Sequence, residues 1–169
     1  MQKCLFLICP TDCLEQVINR QFNNENYFYT SLGNSFLYDE KTINSICNTI
    51  KKHKINDICF VLSVDNKIVQ EALLDNKFSD RTLLNNYYDD IKIQALHSNT
   101  SFQNDKYQFS IISYYLNKKI KELELQLTVR LMRYTSQSVN VSGKIYNKME
   151  DVFMAIYSDF VCIEKYQYN

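Results

Sequence analysis

Only two glycines, Gly33 and Gly143, occur in 169 residues, where an average share of about 7% would give several times more. A glycine that remains in such a chain is expected to meet a backbone need, either a positive φ or the close approach of another group. Both sit at the ends or kinks of strand-like stretches. Residues 27–34 read Tyr-Phe-Tyr-Thr-Ser-Leu-Gly-Asn, and residues 139–146 read Val-Asn-Val-Ser-Gly-Lys-Ile-Tyr. The two glycines therefore mark where the backbone is most tightly constrained.

The length suits one domain spanning 1–169, with roughly 70% of the chain's surface buried on folding. Nineteen basic residues balance nineteen acidic ones, and nucleic-acid binding, which draws on a basic excess, is not expected. The cluster Lys51, Lys52, His53 and Lys54 reads as the solvated end of a helix, where cations complement the helix dipole. Thirteen tyrosines and ten phenylalanines read as core and surface amphipaths rather than as base-stacking platforms. No apolar run approaches the ~20 residues of a membrane span. The first ten residues lack the long apolar core and small-residue cleavage site of a secretion signal. Of the six cysteines (Cys4, Cys9, Cys13, Cys47, Cys59 and Cys162), three lie within apolar runs. Reduced thiols and a cytoplasmic location are expected.

In chain order, residues 3–9 form an apolar run closed by Pro10, as expected of a strand buried on both faces. Asp12, with Glu15 three residues on, reads as a capping box, and Leu14, Val17, Ile18 and Phe22 give a helical face. Residues 23–26 read as a turn and 27–32 as a second strand. Asp39 is positioned to cap a helix whose face is Ile43, Ile46, Cys47 and Ile50. Residues 57–62 read as a third buried strand, and 63–76 return to helical spacing. This alternation predicts right-handed βαβ units and a parallel sheet. Residues 78–98 read as weakly patterned helix and 99–105 as a polar loop. Phe109, Ile112, Leu116, Ile120, Leu123, Leu127, Leu131 and Tyr134 then form a sustained helical stripe. It outweighs the strand-like alternation at 123–127. Residues 139–146 and 152–157 read as a closing hairpin. The expected fold is a single-domain, three-layer α/β architecture. Its central sheet has about four mainly parallel strands plus a C-terminal antiparallel strand, flanked by helices.

The order of these pieces resembles the beta-class carbonic anhydrases. The matching landmarks are Cys9-Pro10-Thr11-Asp12-Cys13 after the first strand and Leu32-Gly33-Asn34 after the second. They continue with Ser63-Val64-Asp65-Asn66 after the third strand and Gly143-Lys144-Ile145-Tyr146 in the late strand. In that family the first strand ends in C-x-D-x-R, the second in an alanine-glycine-asparagine turn and the third in H-x-x-C. A glycine-x-x-tyrosine strand follows. The resemblance implies zinc held by the first motif's cysteine and the second motif's histidine and cysteine, with an open position for water.

Here the histidine position falls on Ser63 and the cysteine position on Asn66. Cys9 stands at the first ligand position in one register. Aligning Asp12 instead places Pro10 there, and in neither register does the arginine follow. The chain's only histidines, His53 and His97, lie elsewhere. No intact metal site is expected, and zinc would require a rebuilt one. Family members carry a helical arm before the first strand that wraps the dimer partner. This chain reaches its first strand almost at once, so pairing by another route is expected.

Each candidate residue has a functional reading and a plain one. Cys9 and Cys13 could be thiolates activated at a helix start; the plain reading, a small buried hydrophobe and a first-turn residue, is preferred. Asp12 as acid or metal ligand competes with Asp12 as a helix cap, and the cap is preferred. Ser63, Asp65 and Asn66 could line an anion pocket at the mouth of the third strand, or could cap the next helix. With Gly33 and Asn34 these residues make up a relict pocket: Cys9, Asp12, Gly33, Asn34, Ser63, Asp65 and Asn66. The expected function is that of a non-catalytic carbonic-anhydrase-like protein in a binding or assembly role. A homo-oligomer, a dimer, with scope for a protein partner, goes with it. The alternatives are an enzyme with a metal or thiol site rebuilt on Cys9, Cys13 or Asp65, and a small-molecule or anion sensor using the relict cleft.

Overall fold

The computed structural model describes residues 2–36, 38–73, 89, 104–131 and 139–157. Strands β1 (Lys3–Ile8), β2 (Glu25–Thr30), β3 (Asp57–Ser63), β4 (Asn140–Asn147) and β5 (Val152–Ala155) form one sheet in the order β2-β1-β3-β4-β5. β1 pairs in parallel with β2 and β3, and β3 in parallel with β4. β5 returns antiparallel to β4. The expected four parallel strands and antiparallel closing strand are therefore present.

Alternation along the central strands builds two cores. Leu5, Leu7, Ile58, Phe60, Leu62, Val141 and Ile145 face one side of the sheet. There they meet α2 (Glu40–His53), α3 (Lys67–Leu73) and α4 (Asn104–Leu131) through Ile43, Ile46, Ile50, Val69, Leu116 and Leu123. Cys4, Phe6, Ile8, Cys59, Val61 and Tyr146 face the other side, against Leu14 and Ile18 at α1 (Glu15–Gln21). Aromatic side chains thicken this smaller core. Phe22 lies 5.4 Å from Phe6 and 5.0 Å from Phe153, ring centroid to centroid.

The α4 stripe behaves as its spacing predicts. Ile112, Leu116, Ile120, Leu123 and Leu127 are buried, whereas Leu125 is 65% exposed. Asp39 caps α2 by accepting the Thr42 N–H at 2.7 Å. The basic cluster is the end of that helix, with Lys54 left-handed at its C-cap. His53 packs its ring 4.2 Å from that of Tyr27. The described cysteines are all free thiols.

The glycines fill the two expected roles, one each. Gly33 has φ 58° inside a 3-10 turn, Leu32–Asn34, a conformation that costs L-residues about 1–2 kcal/mol. Gly143 makes a close approach. A Cβ there would lie 2.8 Å from Ile156 Cδ1 and 3.1 Å from Ile120 Cδ1.

Several boundaries differ from the sequence expectation. Glu25 and Asn26 belong to β2 rather than to a turn, because they pair with Lys3 and Cys4, and Lys3 forms an ion pair with Glu25 at 3.1 Å. Ser63 ends β3 opposite Tyr146, so α3 begins only at Lys67. Asn104 and Asp105 open α4 rather than close a loop; such residues favour a helix start. The helix expected over 78–98 falls outside the described residues except for Asp89, which is helical. His97, Tyr134 and Cys162 also lie outside them.

Candidate functional site

The candidate residues gather where β1 and β3 end side by side. After β1 the chain makes a 3-10 turn, Pro10–Asp12, and the Asp12 N–H donates to Cys9 O at 3.1 Å. The turn sends the Asp12 carboxylate across to the end of β3. There Oδ2 accepts the Ser63 backbone N–H at 2.9 Å and Oδ1 accepts Asn66 Nδ2 at 2.7 Å. Asp12 is thus not the cap of α1, which has no side-chain cap and begins only at Glu15. The expected capping box fails because two buried donors on β3 and its following turn outcompete a local N–H.

Asn66 is fully buried and serves two groups at once. Its amide donates to Asp12 while its Oδ1 accepts the Val69 N–H at 3.0 Å, capping α3. Ser63 Oγ donates to Asp65, whose side chain is otherwise exposed. Burial pushes the Asp12 carboxyl up from 3.8 to about 6, with nearby Asp65 adding to the rise. The Ser63 and Asn66 donors oppose this but do not cancel it.

Cys9 and Gly33 make a second cluster beneath this one. Cys9 Sγ is fully buried, accepts the Gly33 N–H at 3.1 Å and lies 3.0 Å from Thr11 Oγ1. Asn34 is also fully buried and donates through Nδ2 to Val61 O at 3.0 Å. Its Oδ1 receives no hydrogen bond from the protein. Cys13 is apart from both clusters. It is exposed, sits in a left-handed conformation at φ 52° and directs its thiol to Pro10 O at 3.5 Å.

A zinc centre needs three deprotonated N, S or O ligands around one open position. The residues present do not fit it. Asp12 has both oxygens engaged by donors, Ser63 and Asn66 offer a hydroxyl and an amide, and the Cys9 thiol is turned to Gly33. Among the described residues, no three His, Cys, Asp or Glu side chains converge as a metal site. The geometry also favours one register of the first motif. Asp12, not Cys9, meets the positions of the second motif, which leaves Pro10 two residues ahead of it.

Sequence reasoning missed two features beside the site. Tyr146 OH donates to Asp151 at 2.7 Å, and Arg20 clasps the same carboxylate at 2.6 and 2.8 Å. This fixes the β4–β5 turn against α1. A cavity of about 670 Å³ opens beyond the ends of β3 and β4, with Asp65 on its wall. The sequence signals for both were confined to turn propensity at 147–151 and hid the long-range partners.

These features define a protein with a parallel α/β sheet, an added antiparallel edge strand, and polar side chains clustered at the carboxyl ends of its central strands. Comparison with solved structures specifies the fold further, as that of the β-carbonic anhydrases. CafD of the filamentous fungus Aspergillus fumigatus superposes with a TM-score of 0.74 at 15% identity, covering 93% of this chain and 90% of that one. CafA of the same fungus gives 0.72 at 14% identity, covering 94% and 76%. A tetrameric β-carbonic anhydrase of Sordaria macrospora gives 0.67 at 13%, covering 92% and 80%. No family model matches the chain, and no curated protein does. Among the described residues, no helix is long and apolar enough to cross a membrane.

Proposed function

We propose that this chain is a non-catalytic protein on the β-carbonic anhydrase fold, working by binding or assembly rather than by carbon dioxide hydration. The observation that carries the reading is the closed Asp12–Ser63–Asn66 hydrogen-bond set at the ends of β1 and β3. Every polar group there is satisfied by another protein group, so the set holds two strand ends together. A metal-bound water at neutral pH needs a ligand set that Pro10, Ser63 and Asn66 do not supply.

The rebuilt-enzyme reading has less support. Cys9 is buried, the Cys13 thiol donates to the Pro10 carbonyl, and the Asp65 side chain accepts from Ser63. Cytoplasmic location and the homodimer remain part of the proposal. The tetrameric state of the Sordaria macrospora proteins supports self-assembly on this fold. Stopped-flow carbon dioxide hydration with added zinc tests the catalytic half: the rate should match buffer alone, and a saturable zinc-dependent rate would refute it. Sedimentation equilibrium of the same sample tests the dimer; a monomer at all concentrations would remove it.

A further inference from the structure

The cavity beyond β3 and β4 lies outside the Asp12–Asn66 set and has a composition of its own. Its volume of about 670 Å³ falls in the range of small-molecule sites, roughly 300–1,000 Å³. It also occupies the place where parallel α/β sheets bind ligands, the carboxyl ends of adjacent strands. Val64 and Met154 are among its apolar lining residues. Phe109, at the start of α4, and Tyr157, beyond β5, set an edge-to-face aromatic pair with centroids 4.9 Å apart, and both rings line the space. The β4–β5 turn contributes Met149, which is 94% exposed; a thioether of this kind adapts to varied apolar shapes.

Charge gives the cavity a polarity. Asp65 and Glu150 supply two carboxylates to its wall, and Lys148 supplies one ammonium. Asp65 uses Oδ1 to accept from Ser63, and its exposed side chain lies on the cavity wall. Aromatic faces and carboxylates together suit one chemistry, an organic ammonium with an apolar body. The cation is drawn to the carboxylates and the ring faces, and the body fills the apolar part. We infer that this cavity binds a small amphipathic ammonium compound, aromatic or alkyl in its body. The inference rests on the reading of the protein as a binder and gives that binder a ligand class.

The probe is 2-phenylethylamine, protonated at neutral pH, beside 2-phenylethanol, which keeps the body and lacks the charge. Amide resonances of the full chain are followed by NMR titration. The amine should shift Asp65, Glu150 and Met154, and the alcohol should bind several-fold more weakly. Asp65→Asn and Glu150→Gln should each weaken the amine about threefold and together about tenfold, as expected of exposed ion pairs. Gln108→Trp, which fills the cavity from the helix surface, should abolish the shifts. Equal binding of amine and alcohol, shifts confined to other surfaces, or no amine binding up to millimolar concentration would each overturn the inference. The wild-type comparison stands even if a variant fails to fold. Failure here leaves the hydration result untouched, so the two readings fall separately.

Discussion

The Asp12 carboxylate satisfies a backbone N–H and a side-chain amide that the fold would otherwise bury without partners. An unmade hydrogen bond at such a donor costs about 1–3 kcal/mol, which explains why the residue is drawn away from α1. Its pKa of about 6 in the folded chain lies above the ~3.9 of an unfolded aspartate. The native state therefore holds the proton more tightly. The stability this adds is complete below about pH 4 and is lost as the pH rises through about 6. Urea unfolding of wild type and Asp12→Asn across pH 3–7 should show that decline as the difference between the two, since Glu25 and Asp39, whose pKa values are lowered, act in the opposite sense in both. A carboxyl titration placing Asp12 below about pH 4 would contradict the prediction. At this scale the sequence was only half legible. Asp39 was readable as a cap because its partner lies three residues away. Asp12 was misread because its partners lie 51 and 54 residues away, at the end of β3 and in the turn after it, whose adjacency no local pattern encodes. The role of Asn66 as both cap and donor was hidden for the same reason.

Among the elements, α4 was the most legible, because its apolar residues recur at helical spacing over many turns. The competing alternation at 123–127 would place Leu123, Leu125 and Leu127 on one face. The helix instead buries Leu123 and Leu127 and leaves Leu125 outside. Leu123→Ala should therefore cost about 2–5 kcal/mol, while Leu125→Ala should stay within about 0.5 kcal/mol. Chemical denaturation measures both, and equal losses would favour the strand pattern. Element ends were less legible. β2 begins at Glu25 because β1 offers it partners, and Ser63 stays in β3 because β4 pairs with it. Such pairings are set by the sheet and leave no trace in the residues on either side.

For the molecule as a whole, the parallel sheet and its antiparallel closing strand followed from strand–helix alternation and a terminal hairpin. The order of the strand-end landmarks, with Gly33 and Gly143 at glycine positions of the resembled family, then pointed to one fold family. What remained illegible was the choice between Cys9 and Pro10 at the first motif. That choice depends on which side chain the 3-10 turn sends toward β3, and the turn sends Asp12. Cys9 goes instead to the Gly33 N–H, inside the larger core. The chain thus has the fold of the β-carbonic anhydrases, and the ends of β1 and β3 are tied to each other through Asp12. The most direct test is the metal content of the purified, reduced protein by mass spectrometry, beside a Cys9→Ser variant. The account predicts no stoichiometric zinc in either sample. Near-stoichiometric zinc in the wild type, above all zinc that disappears in Cys9→Ser, would contradict it.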